Sequence, residues 1–526
     1  MFSSRGRRTT SIENALDIVA GVVDNEYQYL EDDEAEDGYI LLLPKRNKSV
    51  GHQHQTFYQS MGSTVSGSSP GRAAMAVEEE RSEPPCSDSK MHSLMMTLPR
   101  AFNNTDHKTN SFMTGLSILP FLQGAGILGV PYAFLIAGKA FLPAVMFIGF
   151  LGNVCSRLLI DSTYVKSRTL GRYRKYCSYE EVAHACWGKL GSRIMQVVNY
   201  TFLLMACVVN FVLLFFSLNQ LFGGWMPYLH LTSFQFGSLF ALVLIPILMF
   251  LSNASGKVFA YLGVLSTISI FVTTICSTVV FVYHHREWAA NFDRLPVINW
   301  EQYPVALGIA TLTIIVTPAL PSIEGVMSKP THFPTAIGVS FAFSSVFKTV
   351  YGLLGGLSFG LATQGLVADN VCGYSPLIRY TVSTMLVLNS MVNSVCYMQL
   401  VLMSLDKLTF GMSQSGNSST VSRPWFLVWK LFSRSMSVAM TLAVTNFVPY
   451  FALVSSVIGA LFGSFLAFIA PVYFHLTLKW RSMSFKERIG ELVLLLFTIA
   501  LCALMTFASV RELIKEVRKS SFGGNF

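Results

Sequence analysis

Apolar residues gather along this chain into eleven runs at about 111–135, 141–163, 194–222, 233–251, 258–284, 303–324, 336–361, 378–404, 432–450, 452–478 and 488–510. Crossing a bilayer takes ~20 mostly apolar residues in a helix. The pattern therefore predicts an all-α polytopic membrane protein with eleven spans over residues 110–510, followed by a short tail, 511–526. The stretch before the first run, 1–109, has no helical or strand periodicity and is rich in Ser and acidic residues. It reads as a disordered tail, because such a composition cannot bury enough apolar surface to offset its ordering entropy.

Composition agrees. Of 526 residues, 52% are hydrophobic and only 13% charged, against ~25% charged in an ordinary soluble domain. The net charge of +9 conceals a division, for residues 1–109 hold 11 Lys/Arg against 16 Asp/Glu, while the rest hold 27 against 13. The basic excess sits in short loops between apolar runs, which is the signature of topology and not of nucleic-acid binding. The loop between spans 2 and 3 alone carries Lys166, Arg168, Arg172, Arg174, Lys175, Lys189 and Arg193. Positive-inside bias places the N-terminal tail in the cytosol and, after an odd number of spans, the C-terminus on the opposite side, which is the lumen if the membrane is a vesicle's. Met1–Thr10 is basic with no apolar core after it, so a cleaved signal peptide is not expected.

Enzyme signatures are missing: there is no His-Glu-x-x-His and no phosphate-binding Gly-x4-Gly-Lys-Ser/Thr, and the Gly-x-Ser-x-Gly spacing at 67–71 and 356–360 lies in the Ser-rich front and an apolar run, not at a strand-to-helix elbow. No metal site or cofactor is expected. Helix breakage stands out instead. Span 1 contains Gln123-Gly-Ala-Gly-Ile-Leu-Gly-Val-Pro131, and span 6 contains Thr317-Pro-Ala-Leu-Pro-Ser-Ile-Glu-Gly325. Glycine lowers helix propensity by ~1 kcal/mol and proline removes an amide donor. Broken backbone at membrane depth is tolerated where it lines a cavity or is buried in protein. Spans 1 and 6 open two successive blocks of five, and a block of odd length makes the second begin from the opposite side. Interrupted helices at corresponding places in inverted halves point to the substrate site of a secondary transporter. Free amides at a half-helix N-terminus suit a carboxylate.

Charges within the runs are few, and an ionisable group at membrane depth usually faces a cavity or a partner. Glu324 follows the span 6 break, where it either carries a proton or forms a salt bridge, for example to Lys348 in span 7. His475, near the end of span 10, reads as an interfacial anchor, although imidazole also suits proton traffic. Asn389, Ser390, Asn393 and Ser394 give span 8 one polar face, for ligand or for bonds across helices. Gly352-x3-Gly356-x3-Gly360 and Gly459-x3-Gly463 read as close-packing motifs. Tyr179–Trp187 reads as an amphipathic helix on the membrane face. In the tail, Asp37 lies four and five residues before Leu41 and Leu42, the spacing of an acidic dileucine sorting signal that a clathrin adaptor reads.

Three segments carry a resemblance: Gln123–Ala133 in span 1, Leu-Pro-Ser-Ile-Glu-Gly at 320–325, and Val-Pro-Tyr-Phe-Ala-Leu at 448–453. Together they resemble the amino acid/auxin permease family over residues ~110–510, and most of all its vesicular branch for inhibitory amino acids, which also matches Phe-His-Leu at 474–476 and the span 7 lysine. The resemblance implies a leucine-transporter-like 5+5 inverted repeat plus an eleventh helix. It implies a secondary carrier that uses protons to load GABA, glycine or a related small neutral amino acid into acidic vesicles. On that resemblance the substrate site comprises Gln123, Gly124, Gly126, Gly129, Thr317 and Ser322, with Glu324 coupling the proton. A lysosomal or plasma-membrane neutral amino acid permease, or a non-transporting amino acid sensor, is the alternative.

Overall fold

A computed structural model describes residues 111–522 apart from 168–170, 225–232, 254–255, 326, 328, 411–422 and 448–449. Asp37, Leu41 and Leu42 lie outside the described residues. Among the described residues, each apolar run is mainly helical. In chain order the helices are α1 (Ser111–Leu122), α2 (Val130–Ala137), α3 (Phe141–Ser162), α4 (Tyr179–Phe222), α5 (Ser233–Leu242), α6 (Leu244–Phe250), α7 (Gly256–Tyr283), α8 (Trp288–Arg294) and α9 (Tyr303–Leu312). They continue as α10 (Leu320–Glu324), α11 (Phe333–Phe359), α12 (Val367–Cys372), α13 (Pro376–Phe410), α14 (Arg423–Phe447), α15 (Phe451–Ile458), α16 (Ala470–Lys479) and α17 (Phe485–Phe522). Nine helical stretches among the described residues are long and apolar enough to cross a membrane, and the shorter apolar Ala125–Ala137 and Gln235–Phe250 join them. A small hairpin pairs β1 (Tyr164–Ser167) with β2 (Gly171–Arg174).

Burial divides the helices. The stretch Tyr303–Glu324 is 89% buried within the protein, whereas Phe485–Lys519 is only 17% buried, so the sixth span is central and the eleventh peripheral. The exposed side chains of α17 include Val493, Leu496, Phe497 and Phe507. Such an apolar surface suits lipid, not water. Around the centre, α9 packs on α2, α15 and α17, while α11 lies along α1, α2 and α3, and α13 along α4 and α7.

Close approach between these helices depends on glycine, as in many membrane bundles. A Cβ added at Gly352 would meet Val130 Cγ1 at 2.8 Å, and one at Gly356 would meet Phe134 Cδ1 at 2.5 Å. The span 7 glycines therefore seat α11 on α2. Likewise a Cβ at Gly459 would fall on the carbonyl oxygen of Gly308, which fixes span 10 against α9. Between α15 and α16 the helix widens into two π turns, Gly459–Gly463 and Phe465–Ile469.

One expectation is corrected here. The Tyr179–Trp187 segment begins α4, capped by Ser178, whose hydroxyl accepts from the Glu181 amide at 3.2 Å. Its apolar side packs on protein instead of lying on the membrane: Tyr179 and Val182 are buried with Leu466, Ala470 and Phe474. The Tyr179 hydroxyl donates to the Leu466 carbonyl at 2.8 Å, and Trp187 Nε1 donates to the Tyr473 hydroxyl at 3.1 Å. Aromatic side chains with polar tips find partners in protein that headgroups would supply less specifically.

Candidate functional site

Span 1 is interrupted as its glycines predict. Helix α1 ends at Leu122, Gly124 is extended (φ −65°, ψ 175°), and a tight 3-10 turn, Ala125–Gly129, leads into α2. No side chain caps that turn or the start of α2. Pro131 is not the breaker. It stands in the first turn of α2, where a missing amide hydrogen leaves no helical bond unmade.

Span 6 breaks earlier than its prolines suggest. α9 stops at Leu312, Thr313–Val316 is unwound, and a 3-10 turn over Thr317–Ala319 precedes α10. Pro318 and Pro321 again sit in the first turns of the elements they begin. The unwound residues belong to Thr-Ile-Ile-Val-Thr, five β-branched side chains in succession. These lose rotamer freedom in a helix. That run was the available signal, and reading the break from Pro and Gly alone missed it.

The two breaks meet. A methyl group at Gly126 would stand 3.2 Å from Thr313 Cγ2, and one at Gly129 would stand 3.2 Å from Ile309 Cγ2 and 3.4 Å from Phe451 Cε1. Gly124 has open space where its Cβ would be. Beside them, Gln123 is only 2% exposed, yet neither its Nε2 nor its Oε1 has a hydrogen-bond partner among the described residues. Its amide faces a narrow cleft lined by Ile127, Ile270, Phe271, Thr274 and Phe347. Thr317 is 1% exposed, and its hydroxyl likewise lacks a partner among the described residues. A buried unpaired amide or hydroxyl costs about 1–3 kcal/mol, which a polar ligand would recover.

Lys348 also belongs to this place. It is 1% exposed on α11, and its ammonium donates to the Thr313 carbonyl at 2.7 Å. The partner entertained for it in the sequence, Glu324, is engaged elsewhere: Glu324 Oε1 accepts from the Tyr164 hydroxyl at 2.9 Å. Glu324 is nevertheless fully enclosed, at 2% exposure. Ser322 is buried too, on the same short helix. The structure thus gathers Gln123, Gly124, Gly126, Gly129 and Thr313 around the paired breaks, and sets Ser322 and Glu324 beyond them on α10, which packs on α1 and α3.

The polar face of span 8 is used across helices. Ser266 on α7 lies 2.8 Å from Asn389 Oδ1 and 2.7 Å from Asn393 Oδ1. His475 is no exposed anchor. It is 7% exposed, with Nε2 3.0 Å from Asp161 Oδ2 and Nδ1 2.8 Å from Glu491 Oε1. Neither Asp161 nor Glu491 stood out in the sequence, because each closes or opens an apolar run where a charge is ordinary.

Comparison with known proteins agrees with this architecture. Residues 107–515 match the family described as transmembrane amino acid transporter protein. The chain is similar to the vesicular inhibitory amino acid transporter of Homo sapiens, 26% identical over 430 residues that cover 79% of this chain and 78% of that one. It is similar to the Xenopus tropicalis protein of the same name, at 25% over 390 residues and 72% of each chain. The vesicular GABA transporter of Caenorhabditis elegans is 24% identical over 406 residues, covering 76% of this chain and 79% of its own. The segments of span 1, span 6 and span 10 that carry the resemblance fall inside the matched region, and the chain belongs to the transmembrane amino acid transporter family.

Proposed function

We propose that this chain is a secondary carrier that loads a small neutral amino acid, GABA or glycine foremost, into acidic vesicles in exchange for protons. The observation that carries the reading is the meeting of two interrupted helices at Gly126 and Thr313, with an unpartnered buried amide, Gln123, beside them. Uncapped turn amides suit a substrate carboxylate, and the Gln123 amide and Thr317 hydroxyl supply polar contacts that fix its orientation. A 5+5 inverted repeat with an eleventh helix accounts for two breaks at corresponding places. Gly124, Gly126 and Gly129 let the substrate approach backbone; Ser322 lies further along the same helix as Glu324, which couples the proton. The names of the relatives support vesicles and inhibitory amino acids as compartment and substrate. The acidic dileucine of Asp37, Leu41 and Leu42 is then the address, read by a clathrin adaptor from the cytosol, with the C-terminus in the lumen.

Purified protein in liposomes, given an inside-acid pH gradient, is expected to accumulate labelled GABA or glycine. Collapse of the gradient should release it. Binding without uptake across a broad amino acid panel would overturn the carrier reading in favour of a sensor.

A further inference from the structure

The triad Asp161–His475–Glu491 joins three separate helices. Asp161 is on the last turn of α3, His475 on α16 and Glu491 on the second turn of α17. Both ring nitrogens are taken: Nε2 lies 3.0 Å from Asp161 Oδ2, and Nδ1 lies 2.8 Å from Glu491 Oε1 and 3.0 Å from its Oε2. A neutral imidazole has one N–H and one lone pair, so it donates to one carboxylate and turns a lone pair on the other. Only the doubly protonated ring satisfies both contacts. Charge counting agrees, because Lys479 lies 3.5 Å from Asp161 Oδ2. Lys479 offsets one carboxylate, and removing the ring proton takes away the positive charge held between the two. The His475 side chain is 9% exposed and that of Glu491 14%, whereas Asp161 is 34% exposed.

Other titratable groups around the ring are engaged or more distant. On α17, Glu487 receives the Ser484 amide at 2.7 Å and Arg488 stacks on Trp480. On α4, Tyr179 donates to Leu466 and packs its ring on Phe474, while Glu181 receives the Cys177 amide. On α3, Cys155 is buried.

We propose that His475, held between Asp161 and Glu491, is a proton-binding site whose occupancy ties the ends of α3, α16 and α17 together. Losing the proton ends both ion pairs, leaving one ordinary hydrogen bond and setting a ring lone pair against the other carboxylate, so the helix ends part. The site stands independently of the carrier reading.

Hydrogen–deuterium exchange of the full-length protein in lipid nanodiscs tests this at about pH 6 and about pH 10, a window wide enough to take the ring through its titration when two carboxylates favour its charged form. After correction for intrinsic exchange, peptides covering 470–479 and 485–495 should be several-fold better protected at the lower pH. His475→Gln should exchange fast at both. Glu491→Gln gives a neutral ring an amide donor in place of one carboxylate, so it should remain protected and lose the pH dependence. That variant keeps the test decisive if His475→Gln does not fold. Equal wild-type protection at both pH values, or unchanged pH dependence in Glu491→Gln, would overturn the proposal.

Discussion

Lys348 places its ammonium 2.7 Å from the carbonyl oxygen of Thr313, the first residue of the unwound stretch in span 6. The carbonyls at the end of α9 lose their helical partners where the chain unwinds, and they carry the negative end of the helix dipole. A buried lysine from α11 answers that need. Hydrogen bonds to charged groups contribute about 1.5–3 kcal/mol, enough to hold one backbone geometry over its rivals. Lys348→Met keeps length and apolar volume while removing the donor. Uptake per reconstituted protein should fall about tenfold or more, taking that range as the loss. Unchanged uptake would show that the break holds its shape without the ammonium.

Gly126 has no room for a long side chain, since its Cβ would already lie 3.2 Å from Thr313 Cγ2 and 3.7 Å from Leu312 Cδ2. Gly126→Leu should abolish uptake while the protein still inserts and purifies as a monodisperse species. An amine lacking the carboxylate should compete poorly against wild-type uptake. A folded Gly126→Leu that transports normally would remove the paired breaks from the substrate path.

Glu324 and Tyr164 separate coupling from structure. Glu324→Gln keeps an acceptor for the Tyr164 hydroxyl, which now stands 2.9 Å from Oε1, and removes the titration. Proton-driven accumulation should fall more than gradient-independent exchange of amino acid for amino acid. Tyr164→Phe removes the hydrogen bond and retains the carboxyl, so accumulation should survive in part. If both activities fall together in Glu324→Gln, the carboxyl is structural or touches substrate directly.

Gly459→Ala tests the contact between α9 and span 10. The new methyl would collide with the Gly308 carbonyl and approach the Leu312 amide nitrogen at 2.7 Å. Backbone on both sides leaves no flexible side chain to yield. Overpacking of this kind costs about 1–3 kcal/mol. Thermal unfolding in detergent should shift down measurably, whereas Gly490→Ala, with nothing within 4 Å of its Cβ, should melt like wild type.

Leu41→Ala combined with Leu42→Ala should move the protein from internal vesicles to the cell surface, seen by microscopy of intact cells. Uptake by the purified double variant should stay unchanged. An unaltered distribution would make the acidic dileucine a chance match.

Much of the fold was readable because membrane helices announce themselves by length and hydropathy, and among the described residues all eleven runs became mainly helical. The span 1 break was readable because three glycines crowd between Gln123 and Val130, and glycine is the poorest helix former after proline. Span 6 was harder. Its prolines sit at helix starts, so they mark where helix resumes and not where it fails, and the signal for the break was the β-branched run that opens at Thr313. Lys348 was conspicuous in the sequence, but its partner was a backbone carbonyl, which no side-chain pattern reveals. The Asp161–His475–Glu491 contact joins residues hundreds of positions apart on three helices, and only packing brings them together.

The two π turns of span 10 have a consequence for insertions and deletions. A π turn holds one residue more than the α turn it replaces, and each residue advances a helix by about 100°. Deleting one residue between Gly459 and Ile469 would let ordinary helix form in place of one wide turn. Phe451–Ile458 would stay seated on α9 through Gly308 and everything from Ala470 onward would keep its facing, whereas inserting a residue that ordinary helix must take up would rotate that far part by about 100°. His475 would then leave its two carboxylates although no residue of the triad had changed. The reading frame of one helix thus sets which side chains its far end presents, and a length variant here acts at a distance that a point substitution does not.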